Sequence, residues 1–457
     1  MMYTLGIDLG SSYLKAAVFC LESQEVVYSK SMPAFRRRQG PYPELFEISA
    51  EEIFQTVKEL VESLAGRFRL SRILLSTQMH GFIYCTPGLP EVYISWQDAR
   101  STLPLFENKR TAIEELGERL GSEEMQACGV PLKPSLGLCN LYALLYGQRA
   151  APEGGELFTL GSYLIWRLTG QNVCHLTNAA PLGIVDAKNH QFHSGVLQKA
   201  GLGHLKLPRL AESDFTICGV YAHESGDIPV LPDYGDQQVS ILGSMANVGD
   251  AVLNIATAGQ LCHLTSGYRP GPYEIRPYFE HEFLYTISNM PSGRNLDVLV
   301  QFIQDCISVA AGLQVSEGEL WKRIDSAFQR AETDLQVDAL FYPTQTQFDG
   351  GSIRGIKPLN FTLMNLLTAT YDNMAEIYAR HIPVLMGETP PKELVFSGGV
   401  SWKNDALVRI IAEKIGLPFR KSAVANEVIG GMYRLSMVSC GLLGSLSEQR
   451  ELVVRPF

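Results

Sequence analysis

A chain of 457 residues is too long for one hydrophobic core, so two domains are expected. Hydrophobic residues at 46%, charged residues at 19% and a mean hydropathy of +0.02 describe an ordinary globular protein, and the net charge of −10 argues against a nucleic-acid surface. No apolar run approaches the roughly 18 residues of a membrane helix and no cationic leader opens the chain, so a cytoplasmic protein with no membrane partner is expected.

The chain opens on an apolar strand, Tyr3 to Ile7, that delivers Asp8 into the turn Leu9-Gly10-Ser11-Ser12 before a second run from Leu14 to Leu21. Small residues in a turn expose backbone N–H groups and short hydroxyls that suit a phosphate, and a nearby carboxylate can hold Mg²⁺ through water. The order D-x-G-x-x-x-x-K runs between two strands, unlike a Walker A loop or a Rossmann fingerprint, which lead into a helix. A plain hairpin turn with a capping Asp is the alternative. Val26-Val27-Tyr28 suggests a third strand. Ser49-Ala50-Glu51-Glu52 opens a helix whose stripe of Ile53, Phe54, Val57, Leu60, Val61 and Leu64 has core spacing.

Next come a strand at Arg72 to Ser76, the stretch Thr77-Gln78-Met79-His80-Gly81, a run at Phe82 to Cys85, and a strand from Val92 to Trp96 leading into Gln97-Asp98-Ala99-Arg100. Strands alternating with helices imply an α/β domain. Residues 101–230 read as mixed helix and loop. The nine cysteines are scattered, no two closer than 11 positions, which excludes a zinc knuckle and suits buried thiols of a reduced cytosol. His190 and His193 read as a surface loop.

Pro232-Asp233-Tyr234-Gly235-Asp236-Gln237-Gln238 precedes a break in pattern near 240–249. There Asp236 could serve as a base for an alcohol acceptor, with Gly235 letting the backbone approach a ligand, or it could be an Asx-turn residue. The opening pattern then returns. Ala251 to Ile255 reads as a strand, Ala256-Thr257-Ala258-Gly259 as a small-residue turn, and Leu394 to Ser397 as a strand ending in Gly398-Gly399. Asn404 caps a helix bearing Leu407, Ile410, Ile411 and Ile415. Three such loops at these spacings imply two similar α/β domains closing on a nucleotide.

These motifs, DLGSSYLK, TQMHG, SWQDAR, YGDQQ, NIATAGQ and SGGVSWKND, resemble the FGGY carbohydrate kinases over almost the whole chain, with TQMHG and SWQDAR closest to the ketose kinases among them. The resemblance implies two ribonuclease-H-like domains of the actin and sugar-kinase fold, 1–243 and 244–457, around a central cleft. It implies ATP-dependent phosphorylation of a ketose at a primary hydroxyl. Sedoheptulose going to sedoheptulose 7-phosphate is favoured, with xylulose, ribulose or another polyol as alternatives.

Asp236 is then the catalytic base. Gln78, Met79, His80, Trp96, Asp98, Arg100 and Gln237 contact sugar. Asp8, Gly10, Ser11, Ser12, Lys15, Thr257, Gly259, Gly398, Gly399 and Asn404 contact ATP, and Asp8 and Asp236 hold Mg²⁺. A homodimer is possible. Several of these residues have plainer uses: His80 as a satisfied buried imidazole, Trp96 as core, Lys15 as an exposed strand residue, and Asp98 and Arg100 as partners of each other. The pattern also departs from the family. Tyr342-Pro343-Thr344-Gln345-Thr346-Gln347 replaces L-x-G-E-R, Ala258 stands where Ser or Gly is common, and Glu427-Val428-Ile429-Gly430-Gly431-Met432 replaces an Ala-rich helix start. A silent sugar or nucleotide sensor on the same fold is the second hypothesis.

Overall fold

The computed structural model describes residues 2–148, 154–342, 350–387, 389–424 and 426–448; positions 343–347, where the L-x-G-E-R motif is replaced, lie outside them. Two six-stranded sheets dominate the described residues. In the first, Tyr3–Leu9 is central. It pairs antiparallel with Tyr13–Cys20, which continues to Glu25–Pro33, and parallel with Leu70–Thr77, which continues to Ile228–Gly235. The second repeats this order. Ala251–Ile255 pairs antiparallel with Gly259–Thr265, which continues to Phe283–Met290, and parallel with Leu394–Ser397, which continues to Phe419–Lys421.

The two sheets differ in their sixth strand. Gly219–Tyr221 extends the first beside its fifth strand, while Glu274–Pro277 extends the second beside its third. That difference places Glu274 and Arg276 toward the first domain. The central strands are buried on both faces, hence their near-continuous apolar runs.

Local chemistry accounts for the elements. Ser49 Oγ accepts from Glu52 N–H at 3.3 Å and starts the helix Ala50–Ala65, a cap worth about 1 kcal/mol. The predicted stripe on that helix is buried throughout. The strand expected to reach Trp96 stops at Ile94, because Ser95 turns the chain: its carbonyl accepts from Asp98 N–H at 3.0 Å. Residues 101–230 contain more order than their breakers suggested, including the helix Leu160–Thr169 and the strand Glu156–Phe158, which joins a small four-stranded sheet.

A shared apolar core joins the halves. Ala17, Phe19 and Leu74 from the first sheet meet Val252, Cys262 and Val395 from the second, with Val239, Met432 and Tyr433 between them. The helices Asp236–Gly243 and Glu427–Ser439 cross closely there. A Cβ on Gly243 or Gly431 would overlap the backbone oxygen of Glu427 or Val239 respectively. Gly431, in the helix start that departs from the family pattern, therefore has a packing role.

Candidate active site

Both central hairpins turn toward one cleft of about 480 Å³, a size that suits a small-molecule site. In the first hairpin, Gly10 N–H donates to Tyr13 O at 3.1 Å, leaving Ser11 and Ser12 exposed at the turn. Asp8 is buried beside them, its Oδ1 accepting from Ser76 Oγ at 2.9 Å. Burial pushes this carboxyl up to about 6, against the opposing pull of the Lys15 charge and the Ser76 hydroxyl. Lys15 sits opposite Asp8 in the hairpin register, and its Nζ reaches Asn426 Oδ1 at 3.4 Å, across the cleft from its own sheet.

Asp236 is the first residue of its helix, directly after the strand Ile228–Gly235. Its Oδ1 accepts from Gln237 N–H at 2.8 Å. Burial, and then the charge of Asp8, push its carboxyl up to about 7. Asp233, three residues earlier, is a different kind of group. It is fully buried and accepts from Thr159 Oγ1 at 2.6 Å, His175 N–H at 2.7 Å and Asn178 Nδ2 at 3.1 Å, so it braces the core. Gly235 is small for a reason other than the expected one. A Cβ there would meet Gln238 Oε1 at 2.6 Å and Met79 Sδ at 2.7 Å, so protein, not ligand, occupies that space.

On the opposite wall the cleft is lined by Gln78, Met79, His80 and Trp96, and Trp96 is 38% exposed rather than core. His80 holds a left-handed backbone (φ 66°), a strained conformation for a non-glycine residue. The next position must be Gly81, because a Cβ there would overlap the Tyr93 hydroxyl. His80 Nδ1–H donates to Pro181 O at 2.8 Å, leaving Nε2 to accept from Arg276 Nη2 at 3.4 Å. Burial, followed by the charges of Lys133 and Arg276, holds this imidazole well below its usual range and therefore neutral. Gln237 is also tied across the cleft. Its Nε2 donates to Gln260 Oε1 at 3.1 Å and its Oε1 accepts from Arg276.

Two residues expected at the sugar pair with each other, the plainer use their sequence also allowed. Asp98 and Arg100 have side chains 0% and 1% exposed and do not line the cleft. Asp98 accepts Arg100 Nε at 2.9 Å, Arg100 Nη2 at 2.8 Å and Phe46 N–H at 2.7 Å, while Arg100 also reaches Glu47 at 2.7 Å. With its charges paired and its donors used, the pair fixes the loop that carries Trp96.

From the second hairpin Ala258 and Gly259 line the cleft, whereas Thr257, Gly398, Gly399 and Asn404 are not among its lining residues. The Asn404 side chain is spent as a cap. Its Oδ1 accepts Leu407 N–H at 2.9 Å and its Nδ2 donates to Tyr371 Oη at 2.7 Å. Gly398 has φ 85°, a β-branched-averse turn in which its N–H donates to Glu427 Oε1 at 3.2 Å, and space stays open above Gly399.

Asn254 occupies the position in the second hairpin that Asp8 has in the first, and its buried Oδ1 lacks a protein partner. Asn254, Lys133, Glu274 and Arg276 were missed in the sequence. The repeat of strand-turn-strand after Val248 was a signal for Asn254, but no motif marks the other three.

A twice-repeated strand order, with both small-residue turns and Asp236 lining one cleft, defines a two-domain architecture of the actin and sugar-kinase fold. Solved structures agree in shape: a gluconate kinase from Lactobacillus acidophilus superposes with a TM-score of 0.83 at 17% identity, covering 98% of this chain and 91% of that one. A ligand-bound xylulose kinase from the same organism gives 0.81 at 18% identity over the same shares. Residues 3–243 match the model for the N-terminal domain of the FGGY family of carbohydrate kinases. The chain belongs to that family and is a carbohydrate kinase. Among curated relatives, human sedoheptulokinase is 24% identical over 93% of this chain and 96% of its own length.

Proposed function

We propose that this chain transfers the γ-phosphoryl group of ATP to a primary hydroxyl of a ketose, with sedoheptulose as acceptor and sedoheptulose 7-phosphate as product. The observation that supports the reaction is Asp236, a carboxylate that lines one cleft with both hairpin turns and with Gln78, His80 and Trp96, and that burial pushes up to about 7. A base whose pKa sits near neutrality is matched to taking a hydroxyl proton at cellular pH. Asp236 takes that proton as the sugar oxygen attacks the γ-phosphorus. Ser11 and Ser12 offer N–H groups and hydroxyls to the phosphates, the Ala258-Gly259 turn faces them with bare backbone, and Lys15 offsets negative charge.

Asp8 and Asp236 fit a Mg²⁺ site, since burial raises both carboxyls and the charge of Asp8 raises Asp236 further, a penalty that a divalent cation removes. When bound, the metal neutralises phosphate charge. Two features support the choice of sedoheptulose: full-length similarity to human sedoheptulokinase and the TQMHG wall. Nine unpaired cysteines suit a cytosolic setting. ADP release with ATP and Mg²⁺ against sedoheptulose, xylulose, ribulose and glycerol tests the reading. Sedoheptulose should give the highest kcat/KM, and absence of sugar-dependent ADP release would leave only the silent sensor.

A further inference from the structure

Lys133 and Arg276 have side chains 16% and 3% exposed, and both line the acceptor side of the cleft. One carboxylate serves them. Glu274 Oε1 accepts Lys133 Nζ at 2.6 Å, and Oε2 accepts Arg276 Nε at 3.1 Å and Nη2 at 2.6 Å. Gln237 Oε1 takes one Nη1 hydrogen and His80 Nε2 takes the other Nη2 hydrogen. An ammonium carries three N–H donors and a guanidinium five. Two donors on Lys133 and one on Arg276 therefore remain, beside a neutral imidazole whose two nitrogens are already engaged. The group carries a net charge of +1 and a surplus of donors over acceptors.

We propose that Lys133 and Arg276, held in place by Glu274, are the specificity element of the acceptor site and receive an oxygen on an oxidised carbon of the substrate, keto or carboxylate. This rests on the kinase reading above and adds the class of acceptor. A C=O or carboxylate oxygen accepts two such donors and brings no proton of its own. An alcohol in the same place brings an O–H that needs an acceptor, and an unsatisfied buried donor costs about 1–3 kcal/mol. The element also spans both halves of the chain, since Lys133 precedes the break near 240–249 and the Glu274–Pro277 strand follows it.

The test uses the full chain and three acceptors of equal carbon number: a ketose, an aldonate and an alditol. Affinity is read by calorimetry without nucleotide, and KM and kcat with Mg-ATP. The ketose or the aldonate should bind at least tenfold tighter than the alditol, and whichever leads names the oxygen. Lys133→Met should bring that ratio close to one through KM for the acceptor, leave KM for ATP unchanged, and be rescued by Lys133→Arg. Arg276→Lys, which keeps the charge at the buried position, should lower the ratio in part. Equal affinity for the alditol, no measurable binding of any of the three, or a ratio unchanged in both variants overturns the proposal. A preserved binding ratio with no ADP formed would instead sink the kinase reading and leave this one supported.

Discussion

The buried carboxyl of Asp236 is held at a cost in stability. Its carboxyl is pushed from 3.8 up to about 7, so between those values the folded chain binds more protons than the unfolded one. Stability contributed by this group is therefore full below about pH 4 and is lost as pH rises toward 7. At about 1.4 kcal/mol per unit, the penalty above pH 7 is a few kcal/mol. Asp236→Asn, measured without Mg²⁺, should accordingly raise the melting temperature at pH 8, with the gain shrinking toward pH 4. A variant that is less stable than the wild type at pH 8 would refute this electrostatic account. Asp8→Ala should weaken use of Mg-ATP while leaving ketose affinity nearly unchanged, and steady-state kinetics over a Mg²⁺ series would show it; an unaltered Mg²⁺ dependence would remove Asp8 from the metal site.

At the scale of elements, the crossing of Asp236–Gly243 with Glu427–Ser439 depends on bare backbone at Gly243 and Gly431. Gly431→Ala places a methyl inside the Val239 carbonyl, and overpacking of that kind costs about 1–3 kcal/mol or more. Chemical denaturation should show a loss of at least that size, together with weaker activity, because this helix pair positions Asp236. Stability equal to the wild type would mean the helices separate without consequence.

The strands around these helices were legible because buried central strands write continuous apolar runs, as at Ala251–Ile255. For Asp98 and Arg100 the sequence left both readings open, sugar contact or mutual pairing. A carboxylate and a guanidinium two residues apart look the same whether they face a sugar or each other, and only burial decides. Lys133, Glu274 and Arg276 were invisible for a related reason: their meaning arises from strands and loops about 140 residues apart that converge at the cleft.

Across the whole molecule, polar bridges cross the cleft: Lys15 to Asn426, Lys133 to Glu274, and Arg276 to His80. Below them lies a shared apolar core that packs the two sheets together. If acceptor and nucleotide are both held by closing the cleft over them, binding of one should strengthen the other reciprocally. Calorimetric titration of a non-hydrolysable ATP analogue should show roughly 5-fold or greater tightening when ketose is present. Identical dissociation constants would mean that the halves are uncoupled. Closure also removes water that competes with the sugar hydroxyl for phosphate.

The central claim is that Asp236 in this cleft drives phosphoryl transfer from ATP to a ketose. Phosphorus NMR of the reaction of sedoheptulose with Mg-ATP, run on wild type beside Asp236→Asn, tests it most directly. The account predicts one sugar phosphomonoester per ADP in the wild type, and turnover lower by roughly 10²-fold or more in the variant at unchanged sedoheptulose affinity. ADP formed without a sugar phosphomonoester, or a variant that turns over like the wild type, would contradict it.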